Sequence, residues 1–231
     1  MTYLAKNSFD LLNWYKSIGI KFNTQRIPRN RLGNKSNKLN LLKKLREEIG
    51  NLENIELKEN ANNLVFSDGN IDSNIIVIGE APGFEEDKSG LPFVGKAGKK
   101  LDEMLNSISL DRKKNVYITN IVPWRPKDNR TPNDKEINFF LPYIEKHISI
   151  INPKIVLLFG NVASKALLKR SDGITNFHGQ WFDYKNQYLK EKIHAISIFH
   201  PSFLLRSPNK KKIAWEDLKK VKKKIVELKI L

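Results

Sequence analysis

The sequence predicts an α/β fold, specifically a three-layer α/β/α sandwich around a central four-stranded, mainly parallel sheet. Four short, mainly apolar runs alternate with segments that have helical periodicity. Continuous apolar runs are typical of strands buried on both faces, as in parallel sheets, and parallel strands need long crossovers that are usually helices. An unusual loop follows each run. The carboxyl ends of parallel strands are where such sheets bind ligands.

The individual elements follow from these patterns in chain order. The four strands are predicted at residues 74–79, 116–119, 154–159 and 193–199. Amphipathic spacing predicts helices over residues 9–18, 39–49, 98–108, 161–169 (capped by Asn161) and 215–231. Thr131 and Pro132 predict the N-cap and first position of one more helix, which ends near residue 147. Residues 62–68 are expected to be extended, and residues 177–192 leave a hairpin open as one option.

The chain is predicted to divide near residue 40. Residues 1–40 would form an N-terminal helix and a basic linker, and residues 41–231 the main α/β/α domain. The linker carries basic side chains without an acidic residue to offset them, namely Lys21, Arg26, Arg29, Arg31, Lys35 and Lys38. Because such runs are usually solvated, a linker is favoured over an arm that binds a partner.

Composition limits both the chemistry and the partners. The 231-residue chain has a formal net charge of +16, which favours a polyanionic partner, nucleic acid or an anionic membrane, over charge that serves solubility alone. It contains no cysteine, which excludes disulfides, thiol nucleophiles and cysteine-ligated metal sites. Its four histidines lack the i,i+4 spacing of a zinc site, so no metal is expected. The polar start and the short apolar runs favour a soluble, cytoplasmic protein without a membrane segment.

The loops after the four strands are expected to meet in one crevice. They would bring together the side chains of Glu80, Glu86, Phe93, Asn120, Asn129 and His200. Phe93 can stack on a planar ring, Asn120 can pair with an edge that has both a donor and an acceptor, and His200 can donate to an oxygen that gains negative charge. Together these residue types favour recognition of a planar heterocycle.

Each of these residues also has a structural interpretation. His200 can be a hydrogen-bonded structural histidine, Asn120 a turn residue and Phe93 a core residue. The acids at 85–87 can form a solvated patch or the first turn of a helix. The convergence of all the loops at one sheet edge favours the binding site.

The loop motifs follow one another in the order and at the spacing of a known family. They are Gly79-Glu80-Ala81-Pro82-Gly83 with the acids at 85–87, Gly90-Leu91-Pro92-Phe93-Val94-Gly95, Thr119-Asn120-Ile121-Val122-Pro123-Trp124-Arg125-Pro126 with Asn129-Arg130-Thr131-Pro132, and His200-Pro201-Ser202-Phe203-Leu204-Leu205-Arg206. Over residues 62–206 the chain resembles the family 4 uracil-DNA glycosylases. The resemblance implies a DNA repair enzyme of base excision that hydrolyses the N-glycosidic bond of deoxyuridine in DNA, releases uracil and leaves an abasic site.

The resemblance also implies how the base is held. Phe93 would stack on the flipped uracil, and Asn120 would read its Watson–Crick edge. Glu86 would exclude the 5-methyl group of thymine, and Ala81 would contribute to the same uracil pocket without any acid–base function. His200 would stabilise O2 of the leaving uracil anion.

Catalytic and DNA-binding roles are implied in the same way. Glu80 and Asn129 would position or polarise the attacking water, so the implied catalytic residues are Glu80, Asn129 and His200. DNA contacts are implied for Arg130, Pro201, Ser202 and Arg206. We expect a monomer whose partner is single-stranded or duplex DNA that contains uracil.

The chain departs from the family at its cofactor. Family members characteristically hold a 4Fe–4S cluster on four cysteines, and this chain has no cysteine. Trp124 and Phe140 align with two of those positions and Ile55 with a third, so apolar packing is expected to replace the cluster and no cofactor is expected. Two alternatives stay open: a non-catalytic module that binds uracil or DNA, and a glycosylase for other deaminated bases.

Overall fold

The computed structural model describes residues 35–230. The helix predicted over residues 9–18 and the basic linker up to residue 34 lie outside this range, so the division near residue 40 stays a prediction. The first described helix, α1, spans Lys35–Gly50 and begins four residues before its predicted start at residue 39. No helix within residues 35–230 is long and apolar enough to cross a membrane.

The fold is α/β, with a mixed, mainly parallel sheet that is flanked by helices. The described chain forms six strands: β1 (Asp68–Gly69), β2 (Ile75–Gly79), β3 (Tyr117–Asn120), β4 (Ile155–Phe159), β5 (Trp181–Tyr184) and β6 (Ile193–Ile198). Their order across the sheet is β1-β3-β2-β4-β6-β5. The four inner strands are parallel to one another, and β1 and β5 pair antiparallel at the two edges.

The prediction of four strands is wrong because both edge strands lack an apolar run. β1 has only two residues, and β5 has a single buried side chain. Continuous apolar sequence marks strands that are covered on both faces, and an edge strand need not be. The predicted strands correspond to the inner four. Residues 177–192 contain one strand, β5, rather than a hairpin of their own, and β5 pairs antiparallel with the predicted fourth strand, β6.

The pairing of the inner strands places their carboxyl ends at the same edge of the sheet. Gly79 of β2 pairs with Asn120 of β3, and Phe159 of β4 pairs with Ile198 of β6. Every residue of β2, β3 and β4 is buried. The loops that leave these strands therefore start side by side at one edge of the sheet.

Helices cover both faces of the sheet. Residues 35–230 contain α1, α2 (Glu56–Glu59), α3 (Phe84–Ser89), α4 (Lys96–Asn106), α5 (Asp134–Ile151), α6 (Asn161–Leu168), α7 (Pro201–Arg206) and α8 (Lys211–Glu227). Ile76 and Ile78 of β2 belong to the hydrophobic cluster of α1 and α5, whereas Ile75 and Val77 belong to that of α4 and α8. Since successive side chains alternate between faces, a strand covered on both sides has an unbroken apolar sequence.

Two segments that the sequence predicts as loops contain helical turns. Residues 201–206 form α7, which begins at Pro201 with His200 as its N-cap. Proline favours the first helical position because its φ is preset and its missing N–H is not needed there. Lys127–Asn129 forms a 3-10 turn in the proline-rich loop after β3.

The N-cap of α5 is Asn133, so the predicted cap, Thr131, is wrong by two residues. The Asn133 Oδ1 accepts from the Glu136 backbone N–H at 3.0 Å, and the Glu136 carboxylate accepts in return from the Asn133 N–H at 2.7 Å. This reciprocal arrangement satisfies two helix-end donors at once and fixes where the helix begins.

A buried aromatic contact joins the loop after β3 to α5. The Trp124 and Phe140 rings meet edge-on with their centroids 5.7 Å apart, and both side chains are buried. Ile55 packs against the same hydrophobic cluster from the segment between α1 and α2. Trp124, Phe140 and Ile55 therefore share one apolar core.

Phe139 and Phe140 form a matched pair for testing this packing. Phe140 is 2% exposed and Phe139 is 43% exposed. We expect Phe140→Ala to lower the free energy of unfolding by about 3–5 kcal/mol, because it leaves a cavity beside Trp124. Phe139→Ala should lower it by less than about 1 kcal/mol. Urea denaturation followed by circular dichroism measures both changes, and equal losses would contradict the packing described.

Candidate active site

A cavity of about 530 Å³ opens at the carboxyl edge of the inner strands. Most of the residues that the sequence singled out line it, namely Glu80, Ala81, Glu86, Phe93, Asn120, Asn129, Arg130, His200, Ser202 and Arg206. Pro201 is the exception, since it is buried as the first residue of α7. The structure thus brings the candidate residues to one place, although their roles stay predictions.

The missing side chain at Gly79 lets two pocket residues come together. A Cβ at this position would lie 2.4 Å from Phe93 Cζ and 2.5 Å from Asn120 Oδ1. The Phe93 ring centroid lies 5.7 Å from that of His200, at an interplanar angle of 33°. Gly160 has φ of +97°, and a Cβ there would lie 3.1 Å from the His200 Cβ. The missing side chain therefore lets His200 pack closely against the backbone of Gly160. An aromatic ring, an amide and an imidazole therefore border one space.

Glu86 fixes the loop that carries Phe93. Its carboxylate accepts from the backbone N–H groups of Val94 and Gly95 at 2.9 and 2.8 Å, and from that of Gly83 at 3.1 Å. Hydrogen bonds to an ionised carboxylate are among the stronger ones in proteins. They hold Phe93 in its left-handed conformation, with φ of +56°, which a bulky residue otherwise avoids.

The acids at 85–87 form the first turn of α3, which decides between their two structural interpretations. Asp87 is fully buried rather than solvated. Its carboxylate accepts from the backbone N–H groups of Asn62 and Asn63 at 2.8 and 3.1 Å, which ties the segment before β1 to α3. An acidic first turn also complements the positive end of the helix dipole.

Asn120 presents a buried acceptor to the cavity. It ends β3 and is 5% exposed. Its Oδ1 has no hydrogen-bond partner within the part of the chain that the structure describes. Burying such an atom without a partner costs about 1–3 kcal/mol. This oxygen is therefore available to a donor group on a ligand.

The N-cap position of His200 fixes its tautomer. The Nδ1 accepts from the Ser202 backbone N–H at 3.2 Å and lies 2.8 Å from the Ser202 Oγ. A ring nitrogen that accepts from a backbone N–H carries no proton, so the proton of the neutral ring resides on Nε2, which can donate. Burial, reinforced by the positive charge of Arg206, lowers the pKa of His200 to about 4. The imidazole is therefore neutral at pH 7.

Glu80 is a partly buried carboxylate in the cavity wall. Burial raises the pKa of Glu80 above its ordinary value, and a hydrogen bond from the Thr131 side chain offsets part of this rise. The neighbouring Ala81 has no ionisable group, so Glu80 supplies the ionisable side chain at this point of the cavity wall. A raised pKa suits a carboxylate that accepts a proton near neutral pH.

Arg125 sets the orientation of Asn129. The Arg125 Nε–H donates to the Asn129 Oδ1 at 2.8 Å. Because arginine has donors only, the amide oxygen must face it, which leaves the Nδ2 donors of Asn129 for other partners. Asp128 and Asn129 have φ of +56° and +54°, a left-handed conformation that these two residue types tolerate better than most.

The two arginines among the predicted DNA contacts have different surroundings. Arg130 donates to both carboxylate oxygens of Glu136, with nitrogen–oxygen distances of 2.8 and 2.6 Å. This pairing offsets much of its charge and links it to the cap of α5. Arg206 is exposed at the end of α7.

Sequence reasoning missed one side of the cavity wall. Ile174 and Thr175 line it from a 3-10 turn at Ile174–Asn176, a segment without a periodic pattern. The Asn161 Oδ1 accepts from the Ile174 backbone N–H at 3.1 Å and holds this turn in place. The prediction of Asn161 as the cap of α6 is wrong, since Gly160 occupies the N-cap position.

Arg125 and Thr131 were also missed, although both belong to the matched motifs. Arg125 orients Asn129, and Thr131 donates to Glu80. Neither side chain carries a distinctive chemical signal alone. Their importance appears only when the fold shows which pocket residues they contact.

The fold and the cavity define an α/β protein of the class that binds its ligand at the carboxyl edge of a parallel sheet. The family model of the Uracil DNA glycosylase superfamily matches residues 66–219. The chain belongs to this superfamily, within its family 4, or type-4, branch.

Several curated relatives support the branch. The chain is 36% identical over 185 residues to the type-4 uracil-DNA glycosylase of Sulfurisphaera tokodaii, which covers 78% of this chain and 83% of the relative. It is 38% identical over 166 residues to that of Thermotoga maritima, covering 71% and 83%. It is 34% identical over 178 residues to that of Archaeoglobus fulgidus, covering 75% and 88%.

The 4Fe–4S cluster of the family does not fit this chain. Such a cluster is held by cysteine thiolates, and the sequence has no cysteine. Trp124 and Phe140, which the family resemblance aligns with two of the ligands, are buried and in direct ring contact. Within residues 35–230, no group of three or more histidine or acidic side chains could hold a metal ion either.

The tautomer of His200 can be tested directly by NMR. We expect ¹⁵N shifts to show a proton on Nε2 and none on Nδ1 at pH 7, and the ring to stay neutral until the pH approaches about 4. Ser202→Ala should preserve the tautomer, because the backbone N–H of that residue remains as the donor to Nδ1. Titration near the ordinary value would contradict the buried, helix-capping arrangement.

Proposed function

We propose that this chain hydrolyses the N-glycosidic bond of deoxyuridine in DNA, releasing uracil and leaving an abasic site. Its membership of the uracil DNA glycosylase superfamily and its similarity to type-4 enzymes over most of its length support this activity. The observation that carries the proposal is the Asn120 Oδ1, buried beside the Phe93 ring and without a partner among the described residues.

Uracil matches this pair of side chains. Its ring can stack on Phe93, its N3–H can donate to the Asn120 Oδ1, and its O4 can accept from the Asn120 Nδ2. Cytosine presents the reverse pattern, an acceptor at N3 and a donor at N4, so it could pair with Asn120 only if the amide group were turned over.

Thymine is excluded in this proposal by the rigidity of Glu86. The Glu86 carboxylate is held by three backbone N–H groups, so it cannot swing away to admit a 5-methyl group. A flexible side chain in the same place could move aside and admit the methyl group at little cost in free energy.

The reaction begins with heterolysis of the bond between sugar C1′ and uracil N1. The bonding electrons leave with uracil, and the negative charge that develops at O2 is stabilised by the Nε2–H of the neutral His200. One preorganised donor of this kind supplies about 3 kcal/mol, or roughly a hundredfold in rate. Water then adds to C1′ of the cationic sugar.

One proton of that water passes to the Glu80 carboxylate, which acts as the general base. The Asn129 oxygen already accepts from Arg125, and this orientation leaves the Nδ2 group of Asn129 as a donor. It therefore orients the water or the sugar through Nδ2 and does not take a proton.

The DNA partner is supported by the net charge of +16. Extruding a nucleotide into the pocket costs a few kcal/mol, and less for a mispaired or single-stranded base. Ser202 and Arg206 of α7, together with Arg130 at the cavity wall, are the proposed backbone contacts.

Removing either key side chain should abolish most of the activity. We expect His200→Ala and Asn120→Ala each to slow uracil release at least a hundredfold, since one removes the oxyanion donor and the other the base-pairing amide. His194→Ala is the control, because His194 lies near the amino end of β6 and does not line the cavity. Single-turnover release from a labelled oligonucleotide, followed by alkaline cleavage, measures the rates. Rates near the unmodified level in both pocket variants would refute the mechanism.

The pH dependence of the rate should report Glu80. The carboxyl group must be ionised to accept a proton, so the rate falls as pH drops through its pKa, which burial raises above the ordinary value of 4.5. Glu80→Gln should lower the plateau rate roughly a hundredfold and remove this acid limb. A Glu80→Gln variant that retains the same limb would assign the titration to another group.

A further inference from the structure

An exposed aromatic residue lies beside the mouth of the cavity. Phe84 is the first residue of α3 and is 55% exposed, although it follows Gly83 of the cavity wall directly. The Arg125 guanidinium lies over its ring, 5.2 Å from the centroid. Arg125 in turn precedes Pro126, another residue of the wall. The two side chains therefore form a stacked pair whose open faces make a surface beside the mouth of the pocket.

This surface is held in a defined position. The Arg125 Nε–H bond to Asn129 leaves the planar guanidinium resting on Phe84. Phe84 is placed by α3, whose N-terminus is fixed through the hydrogen bond from the Gly83 N–H to Glu86. Neither residue is needed to bury the core, since Phe84 belongs to neither hydrophobic cluster of the described chain.

An exposed phenylalanine with an arginine stacked on it suits a nucleobase. Proteins hold single-stranded DNA by stacking bases on aromatic rings and arginine planes within a basic surface. The flipping of one nucleotide also leaves its neighbour without a stacking partner on one side. An open face of the stacked pair of Phe84 and Arg125, which carries the positive charge of the arginine, supplies that partner.

We propose that Phe84 and Arg125 form a stacking platform for the base that adjoins the extruded deoxyuridine. This inference rests on the proposed function, since it requires a uracil-containing strand in the cavity. The platform would offset part of the cost of unstacking, and each stacked base contributes roughly 5- to 150-fold in affinity. Because Arg125 also holds Asn129, a base seated on the platform would keep Asn129 in its donating orientation.

The test compares binding of single-stranded oligonucleotides by fluorescence anisotropy. Each carries a central 2′-fluoro-deoxyuridine, whose glycosidic bond resists heterolysis because fluorine withdraws electrons from the sugar. The neighbouring base is either present or replaced by an abasic spacer, on the 5′ or the 3′ side. We expect the unmodified protein to bind one of the two spacer strands about tenfold more weakly than the full strand.

The variants assign this difference to the platform. Phe84→Ala should bind that spacer strand and the full strand equally, and Phe84→Tyr should restore the difference. Arg125→Lys, which keeps the charge without the plane, should reduce it. Tyr188→Ala is the matched control, because Tyr188 is an exposed aromatic residue, at 41%, that does not line the cavity. It should retain the full tenfold difference.

Two results would overturn the platform: equal binding of all strands by the unmodified protein, or an undiminished spacer effect in Phe84→Ala. Release of uracil from ordinary deoxyuridine strands is measured in parallel. Normal release without a spacer effect refutes the platform alone. A spacer effect without any release refutes the proposed function and leaves the platform standing.

Discussion

The site depends on the close approach of two chain segments over a residue without a side chain. Gly79 ends β2, and the Phe93 ring and the Asn120 amide both occupy the space that any Cβ there would need. The parallel register sets Gly79 and Asn120 side by side, so the amide reaches this position through the sheet itself. Phe93 arrives through a loop that lacks regular structure and must be held by other means. Sheet geometry therefore supplies one half of the pocket, and loop chemistry supplies the other.

The part of the pocket that the loops form is held by two carboxylates that accept from backbone N–H groups. Glu86 secures residues 83, 94 and 95, and Asp87 secures the segment at 62–63. The two carboxylates are adjacent in sequence, yet they bind loops on different sides of α3. A cluster of acids within a protein of net charge +16 thus serves internal organisation. Glu80, whose pKa burial raises, is left as the acid of this region that is suited to proton transfer.

The sequence predicted the inner sheet well because strands covered on both faces have a continuous apolar signal, as in β2. It failed at β5, which has only one buried side chain, and at Asn161, whose side chain accepts from the Ile174 N–H instead of capping its own helix. The residues at the cavity were predicted from the motifs, whereas their orientation was not. The tautomer of His200 follows from a two-residue contact at a helix start that was expected to be a loop.

The buried contact between Trp124 and Phe140 bears on the same pocket. Trp124 is fixed in the core by Phe140, and the next residue in the chain is Arg125, which holds Asn129 and lies over Phe84. An iron–sulfur cluster would fix such a loop by coordination, whereas this chain fixes it by close packing, which resists displacement because protein interiors have few voids. The aromatic anchor sits one residue from the arginine that orients the pocket amide. The core contact of Trp124 therefore fixes the chain beside the position from which Arg125 reaches Asn129 and Phe84.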